Sequence, residues 1–421
     1  MFNADKWKTI AVLCAASLAP LATTAAAADF DGMVAVGNGQ LHAVQAGDGP
    51  YTVVFEGGFG GDLTVWRKVA PAVAKRANVL VYSRAGTGKS PARAQPVTLA
   101  QSAAELSALL AARQLKPPYI LVGHSYGGFV IRAFAASHPV QVAGMVLVDP
   151  ADEGLERVLR TIDAARVEQD QRALQASMPA AMQGDLQLVQ QLLDAGKLPA
   201  MAALPDVPSV LLTSVRARAG SDYFQETPAV VKIKRQRHAD FMTQFSTGAH
   251  VFTSNSGHMI QMQEPELVID AIAHVQSAAA VQAARLAKEE ARRVLTGELE
   301  QVAALLGKPP ADAPAQRLAT ALAQSRLSEA EINGLGFDLL LKARQQALAE
   351  LVLTYNVRTF PQSDNAADSY GEALLAGGRA ADAQRQFAQA LTLGRSNGAS
   401  ARALAAYQEH LSQAEQALNK P

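Results

Sequence analysis

The sequence predicts an α/β fold, with a mainly parallel sheet covered by helices on both faces, followed by an all-helical region. Three observations support this. Apolar strand-like segments alternate with helical ones between residues 51 and 274. One of those strands runs into a sharp glycine-flanked turn. The sequence beyond residue 274 is rich in Ala, Leu, Glu and Arg and has no strand signals. Because the functional groups of such sheets gather at the carboxyl ends of the strands, we expect the site there.

Six apolar segments, each ending in a small or polar cluster, are the predicted strands of this alternation. Helical sequence at residues 151–206 interrupts the rhythm after GMVLVDP, which is the fourth of these segments and the sixth strand of the predicted fold. We interpret this segment as an insertion, which either packs as ordinary helices or lies as a lid over a substrate. The six segments are TVVFEGG, NVLVYSR, YILVGHS, GMVLVDP, SVLLTSV and HVFTSNS.

Composition limits the classes of function. The 421 residues leave room for two or three domains, and the 49% of hydrophobic residues supports a buried core. Lys plus Arg and Asp plus Glu both number 38, so no net charge attracts nucleic acid or an anionic membrane. We therefore predict no nucleic-acid partner.

The first 28 residues have the pattern of a cleaved secretory signal. Lys6 and Lys8 precede an apolar run over residues 10–21, and small residues follow. The run is too short to span a bilayer, which predicts a secreted or periplasmic protein without a permanent membrane anchor. Cleavage would remove Cys14, the single cysteine, and leave no disulfide and no thiolate ligand.

The region after the sheet predicts a second domain. Residues 333–336 are echoed by residues 368–371, with Gly336 and Gly371 separated by 35 positions. This period resembles a short tetratricopeptide-like array, which either offers a surface to a protein partner or only stabilises its neighbour. The predicted boundaries are 1–28 for the signal, 29–276 for the α/β domain, 277–310 for a linking helix and 311–421 for the helical domain.

The candidate nucleophile lies in the segment GHSYG. A serine can attack an acyl carbon only if its hydroxyl projects away from the backbone, and a tight strand-to-helix turn provides that exposure. Gly123 and Gly127 stand two residues either side of Ser125, where a Cβ would clash in so tight a turn. We therefore predict Ser125 as the nucleophile.

The serine also needs a base and an acid that orients the base. His258 follows the last predicted strand, in NSGHMIQ, and is the candidate base. Asp149 ends the strand GMVLVDP and is the candidate acid, in the chain order serine, acid, histidine. Asp222, about eight residues beyond the end of the next strand, is the rival acid.

Acyl transfer further requires hydrogen-bond donors for the oxyanion. We predict the backbone amide of Tyr126 as one donor, and that of Gly58 or Phe59, in the glycine-rich VVFEGGFGGD, as the other. The segment SRAGTGKS ends like a phosphate loop, but Ser83 occupies the position of the required first glycine, which argues against an NTPase. No metal and no organic cofactor are predicted.

Together these motifs resemble the α/β-hydrolase superfamily over about residues 34 to 276. The matching segments are GHSYGG, YSRAGTGKS, LVDP and SGHMIQMQEPELVIDAI. The resemblance implies Ser125 as nucleophile, His258 as base and the amides named above as oxyanion donors. Two departures are present: Glu56 replaces a common histidine, and no acid ends SVLLTSV, which favours Asp149.

The sequence thus predicts a secreted serine hydrolase that cleaves a carboxylic ester or a related acyl bond of a small molecule through an acyl-enzyme. Amide, lactone or peptide bonds are alternative substrates that the sequence does not separate. A non-catalytic binding protein that uses its C-terminal helical array is the alternative from another class.

Overall fold

The computed structural model describes residues 29–199, 201–221 and 223–419. The predicted signal and Asp222, the rival acid, lie outside the described residues. The chain divides into two compact units, Met1–Val281 and Gln282–Pro421. The sequence placed the corresponding boundary between residues 276 and 277.

One mixed sheet forms the centre of the first unit. Its strands lie in the order β1-β2-β4-β3-β5-β6-β7-β8. β1, β2 and β4 pair antiparallel, and all the pairs from β4 to β8 across the sheet are parallel, which confirms the predicted fold class. The strands are β1 Phe30–Val36, β2 Gly39–Ala46, β3 Thr52–Glu56, β4 Asn78–Tyr82, β5 Tyr119–His124, β6 Val142–Val148, β7 Ser209–Ser214 and β8 Gly248–Thr253.

Helices cover both faces of this sheet. Successive residues of a strand point to opposite faces, so Leu121 packs in one apolar core while its neighbours Ile120 and Val122 pack in the other. The helices of the first unit are α1 Ala70–Val73, α2 Leu99–Ala112, α3 Gly127–Ser137, α4 Leu155–Ser177, α5 Gln183–Ala195, α6 Pro228–Met242 and α7 Ile260–Gln263, with short 3₁₀ turns at Leu63–Trp66, Pro139–Gln141, Ala180–Met182 and Phe224–Glu226.

The segment between β6 and β7 is helical. It contains α4 and α5, and α4 forms a small apolar cluster in which Leu159 and Val167 pack with Phe224 and Val230. The side chains of Val189 and Leu192 on α5 pack against the group around Tyr126, directly after β5. The interrupted rhythm of the sequence thus corresponds to helices beside the carboxyl ends of the strands.

The second unit is all-helical. Its helices are the later part of α8 Pro265–Leu305, then α9 Ala313–Ser325, α10 Glu329–Phe337, α11 Gln346–Thr359, α12 Asp364–Ala376, α13 Ala380–Asn397 and α14 Ala401–Leu418, with a π-helical turn at Asp338–Lys342. A Cβ on Gly336 would lie 2.5 Å from Leu353, and one on Gly371 would lie 2.5 Å from Phe387. Both glycines therefore mark close approaches between consecutive helices, at the offset that the sequence shows.

Helix α8 is long enough and apolar enough, by length and composition alone, to cross a membrane. Its first turns bury Val268, Ile272 and Val275 in the core of the first unit. This packing accounts for much of the apolar sequence in that part of the helix.

Candidate active site

The predicted nucleophile sits in a strained turn between β5 and α3. Ser125 has a φ of 54°, in the left-handed region that non-glycine residues rarely adopt. A Cβ on Gly127 would lie 2.5 Å from the carbonyl oxygen of Glu56, and one on Gly123 would lie 2.7 Å from that of Gly127. Both glycines are thus required by close backbone approach, and the turn places Ser125 at the carboxyl edge of the sheet.

Asp149 lies at the same edge, one residue beyond β6, and its φ is 39°. Its amide donates to the carbonyl of Leu212 on β7, at 2.7 Å, and Ala151 donates to the carbonyl of Ser125, at 3.0 Å. Strained non-glycine residues that are over-determined by their surroundings cluster at functional sites. The strain at Ser125 and Asp149 therefore marks this edge as the candidate site.

The carboxylate of Asp149 binds the ring of His258. His258 Nδ1 lies 2.7 Å from Asp149 Oδ2, although the two residues are 109 positions apart. Asp149 is 1% exposed, whereas the His258 side chain is 52% exposed, so the imidazole reaches from a buried carboxylate toward solvent. This contact fixes which ring nitrogen faces the acid and leaves Nε2 for a reacting group.

Lys234 is a second partner of the same carboxylate. Its Nζ donates to Asp149 Oδ1 at 2.9 Å and to Oδ2 at 3.0 Å, and the amide of Ser214 donates to Oδ1 at 3.0 Å. Burial alone would raise the pKa of Asp149, but the Lys234 ammonium and the hydrogen bond from His258 outweigh it and hold that pKa well below its usual range. Asp149 is therefore ionised near neutral pH.

Hydrogen bonds also fix the loop that carries His258. Glu264 Oε2 accepts from Thr253 Oγ1 at 2.6 Å and from Ser256 Oγ at 2.5 Å. Ser214 Oγ on β7 donates to the carbonyl of Ser256 at 2.8 Å. The loop is thus fixed at both ends. These bonds hold His258 in place in addition to the contact of its ring with Asp149.

A second histidine lies against this loop from β5. His124 Nε2 is 3.0 Å from the carbonyl oxygen of His258, and the two ring centres are 4.6 Å apart. Burial, followed by the charge of His258, lowers the pKa of His124 to about 3. His124 is therefore neutral near neutral pH and supports the loop through a hydrogen bond.

The glycine loop, residues 57–61, approaches the nucleophile closely. A Cβ on Gly58 would lie 3.2 Å from Ser125 Cβ and 2.9 Å from His124 Nδ1, so only glycine fits there without displacement. Within the described residues, no protein acceptor is hydrogen-bonded to the backbone amides of Gly58, Phe59 or Tyr126. These three amides are the predicted oxyanion donors, and they lie in segments that meet beside Ser125.

The orientation of this glycine loop is set by Arg84. Its guanidinium donates to the carbonyl of Gly57 at 2.6 Å and to that of Gly58 at 2.5 Å, and it also pairs with the buried carboxylate of Glu56. The C=O and N–H of a trans peptide point in opposite directions. By binding two successive carbonyls, Arg84 turns the amides of Gly58 and Phe59 toward the opposite side.

The structure thus brings Ser125, Asp149 and His258 to one edge of the sheet, with the predicted oxyanion segments beside Ser125. Within the described residues, no hydrogen bond joins the Ser125 hydroxyl to the His258 ring. Such bonds are often long in ligand-free hydrolases and tighten when a substrate binds.

Sequence reasoning missed two charged residues of this site, Lys234 and Arg84. A signal for Lys234 was present, because Val230, Lys234 and His238 recur every four residues on one face of α6, and the two flanking side chains are buried. A lysine within an apolar stripe indicates a buried partner. Arg84 stands in the recognised motif YSRAGTGKS, but nothing in that motif showed that its side chain binds the glycine loop.

A cavity lies next to the glycine loop. Phe59, Arg84 and Tyr126 line it from the sheet side, and Met182 and Val189 line it from the inserted helices. Asp185, at the start of α5, accepts a hydrogen bond from the amide of Val97 at 2.7 Å, which attaches the insertion to the segment that precedes α2. The insertion therefore forms part of the wall of the candidate site.

One group of potential metal ligands occurs in the described part of the chain. Ligand atoms of Asp368, Glu372 and His410, all in the helical unit, lie within 4.8 Å of one another. His410 Nδ1 is hydrogen-bonded to Asp368 Oδ1 at 2.9 Å. This hydrogen bond accounts for the position of the His410 ring.

A family model describes the fold of the first unit. Residues 51–234 match the family model described as alpha/beta hydrolase fold. The match agrees with the order of the eight-stranded sheet and confirms the α/β-hydrolase fold that the resemblance implied for the first unit.

Known proteins similar to the chain include an uncharacterised protein, YqjL of Bacillus subtilis, which is 37% identical over 25% of this chain and 42% of its own length. Lipase LipV of Mycobacterium tuberculosis is 47% identical over 16% of this chain and 24% of its own length. The chain thus matches less than half the length of these relatives. Among solved structures, carboxylesterase CesB of Bacillus subtilis aligns with a TM-score of 0.40 at 17% identity, over 59% of this chain and 92% of that one.

Proposed function

We propose that this protein is a secreted serine hydrolase that cleaves a carboxylic ester or a related acyl bond through an acyl-enzyme. The observation that carries the proposal is the buried, ionised Asp149, hydrogen-bonded at 2.7 Å to the ring of a half-exposed histidine at the same strand edge as a strained serine. A buried carboxylate, an oriented imidazole and an exposed hydroxyl are the parts that nucleophilic acyl transfer requires.

The proposed reaction begins when His258 Nε2 accepts the proton of the Ser125 hydroxyl while the oxygen attacks the acyl carbon. The imidazolium that forms is stabilised by Asp149, which remains ionised. The negative charge that develops on the carbonyl oxygen is bound by the amide of Tyr126 and by that of Gly58 or Phe59. The C–O bond to the alcohol then breaks, and His258 donates its proton to the leaving oxygen.

Deacylation repeats these steps with water. His258 accepts a proton from a water molecule that attacks the acyl-enzyme, the same amides bind the second oxyanion, and the Ser125 oxygen leaves with the proton from His258. The base is thus restored at the end of each turnover, and no other group is needed to accept or supply a proton.

The cavity beside Phe59 and Tyr126 is the proposed site for the acyl group. Phe59, Met182 and Val189 contribute apolar surface to its walls, and its charged residues are already paired: Arg84 with Glu56 and the glycine loop, Asp185 with the amide of Val97, and Glu105 with Arg93. An apolar acyl group fits these walls better than a charged one, because a charge would have to leave water without a free partner.

Covalent labelling tests the proposal most directly. We expect a fluorophosphonate probe to label the full chain on Ser125, because only a serine beside a working base reacts rapidly. Ser125→Ala should abolish labelling and lower the hydrolysis of p-nitrophenyl esters by at least about 10³-fold. Equal hydrolysis by the parent and the variant would exclude Ser125 as nucleophile. A parallel panel of amides, lactones and peptides separates the alternative bonds from esters.

The proposed location is the periplasm or the extracellular medium, on the basis of the sequence of residues 1–28. Fractionation of bacterial cells that express the full chain tests this location. Recovery of a shortened protein outside the cytoplasm is expected, and retention of the full-length protein in the cytoplasm would contradict it.

A protein-binding role for the helical unit is the second proposed function. Its support is the recurrence of the same close helix approach at Gly336 and Gly371, as in stacked helical repeats. A chain that ends at residue 276 tests whether the region contributes to catalysis or folding: unchanged kinetics would favour an independent binding role, and loss of soluble, active protein would favour stabilisation of the first unit.

A further inference from the structure

The carboxylate of Asp149 binds two groups: His258 contacts one of its oxygens, and the ammonium of Lys234 contacts both. Lys234 Nζ lies 2.9 Å and 3.0 Å from the two oxygens. Its side chain is 13% exposed, and the residues one turn before and after it on α6, Val230 and His238, are buried. Holding a lysine in such a place removes its charge from water, and this cost is offset only by a close anionic partner.

We propose that Lys234 is a positioning residue of the catalytic group: by binding both oxygens of Asp149 it weakens the attraction of that carboxylate for protonated His258, so that the base works at a lower pH than it would without the lysine. This inference rests on the proposed serine hydrolase function. It concerns a residue that does not touch the reacting atoms and acts only through Asp149.

The two histidines beside the Asp149–His258 pair carry no charge near neutral pH, so they do not oppose protonation of the base as Lys234 does. The ring of His124, on β5, lies 4.6 Å from that of His258, centre to centre, and His238 faces Asp149 from α6. Burial lowers the pKa of His124 to about 3 and that of His238 to about 4, so both rings are neutral near neutral pH.

Other charged groups near the site are also bound. The carboxylate of Glu264, on the loop of His258, accepts hydrogen bonds from the neutral side chains of Thr253, Asn255 and Ser256. Arg84 binds the carboxylate of Glu56, and Arg237 binds that of Asp152 at 2.7 Å. A proton on His258 is therefore attracted by Asp149 and repelled by Lys234, and the repulsion offsets part of the attraction. Removal of the lysine leaves the attraction unopposed.

The size of this effect follows from the separation of the charges. Two cations that bind the same carboxylate stand roughly 5–6 Å apart, where an effective dielectric constant of about 20 gives an interaction equivalent to about two pH units. Because the His258 side chain is half exposed, solvent reduces this value, and we expect a shift of about one pH unit.

The pH dependence of serine labelling tests the inference. The rate of fluorophosphonate labelling of the full chain is measured between pH 4.5 and 9 for the parent, Lys234→Met and Lys234→Arg. We expect the pH of half-maximal rate to rise by about one unit in Lys234→Met. It should stay within about 0.3 unit of the parent in Lys234→Arg, which keeps the charge.

This readout separates the proposed role from a purely structural one. Loss of folded protein reduces the amount that can be labelled but leaves the midpoint of the rate profile unchanged, because each folded molecule keeps its own titration. If Lys234→Met yields no soluble protein, Lys234→Gln is the second neutral variant, since its amide retains one hydrogen bond to Asp149. A neutral variant with the parent's midpoint, or with a lower one, would overturn the inference.

The outcome also distinguishes this inference from the function on which it rests. Failure of the parent chain to be labelled on Ser125 contradicts the serine hydrolase itself. Labelling of the parent together with an unmoved midpoint in the neutral variants contradicts only the role of Lys234.

Discussion

Each unit of this protein contains a hydrogen-bonded histidine and aspartate, and the two pairs have different surroundings. His258 Nδ1 is 2.7 Å from Asp149 in the first unit, and His410 Nδ1 is 2.9 Å from Asp368 in the helical unit. Asp149 stands at a strand end with a positive φ, a lysine on both oxygens and a serine turn beside it. Asp368 lies within the regular helix α12.

A hydrogen-bonded histidine and aspartate are therefore not sufficient to indicate a catalytic site. A His–Asp hydrogen bond between two helices ties α14 to α12, whereas the same bond at the edge of a parallel sheet can orient a base toward a nucleophile. Among the described residues, a positive φ at the aspartate, a lysine on both of its oxygens and backbone amides without a protein acceptor accompany the pair in the first unit and not the other. Paired variants, taken in order of decreasing expected effect, test this distinction.

Replacement of the two aspartates should separate the pairs most clearly. We expect Asp149→Asn to lower kcat for a p-nitrophenyl ester by on the order of 10⁴-fold, because the amide favours the wrong imidazole tautomer. Asp368→Asn should leave kcat within twofold of the parent. Steady-state kinetics on both full-length variants measures this. Equal losses would show that the second pair also supports catalysis.

Replacement of two arginines compares a residue that orients the glycine loop with a surface ion pair. Arg84→Met should lower kcat by about 10²-fold with a smaller change in KM, because misaligned amides no longer meet the developing oxyanion. Arg317 pairs with Glu298 in the helical unit, and its side chain is 39% exposed. Arg317→Met is the matched control. It should leave kcat unchanged and should alter the free energy of unfolding by no more than about 1 kcal/mol. A normal kcat in Arg84→Met would exclude its orienting role.

Two glycines of α10 test whether the second unit depends on close helix packing. A Cβ on Gly336 would meet Leu353 at 2.5 Å, whereas Gly334, two positions earlier, has open space around it. Gly336→Ala should destabilise the helical unit by about 1–2 kcal/mol through overpacking. Gly334→Ala should stabilise it by up to about 1 kcal/mol, because alanine is the better helix former. Denaturant unfolding of the full chain measures both, and equal effects would contradict the packing argument.

The smallest expected effect concerns the pH dependence of the second pair. Burial opposes protonation of His410, but the hydrogen bond to Asp368 outweighs it and raises the pKa of His410 above its usual value. The stability that this pair contributes is therefore complete below the ordinary histidine pKa of about 6.5 and is lost as the pH rises through the raised value.

Thermal unfolding of the full chain between pH 5.5 and 9 tests this sign. We expect the Tm of the transition that Gly336→Ala displaces to fall by a few degrees as the pH rises. His410→Gln should remove this dependence. A parent Tm that rises over the same range would contradict the predicted direction.

Much of the first unit could be predicted because its signals are local. The six apolar segments and the glycine-flanked serine are read within a few residues of chain, and the structure places Ser125, Asp149 and His258 at one sheet edge. The contacts of Lys234 and Arg84 could not be predicted, because they depend on the packing of separate elements. Lys234 is 85 positions from Asp149, and Arg84 is 27 and 26 positions from Gly57 and Gly58.

Short segments of the chain are sufficient to predict the fold class, the nucleophile and its candidate partners, because strand alternation, helical spacing and glycine turns are local properties. The packing of distant segments establishes which cation reaches Asp149, which carbonyls Arg84 binds and which glycines lie under a facing side chain. Those contacts depend on how helices dock on the sheet and on one another, and side-chain direction across such distances is not encoded in any single segment.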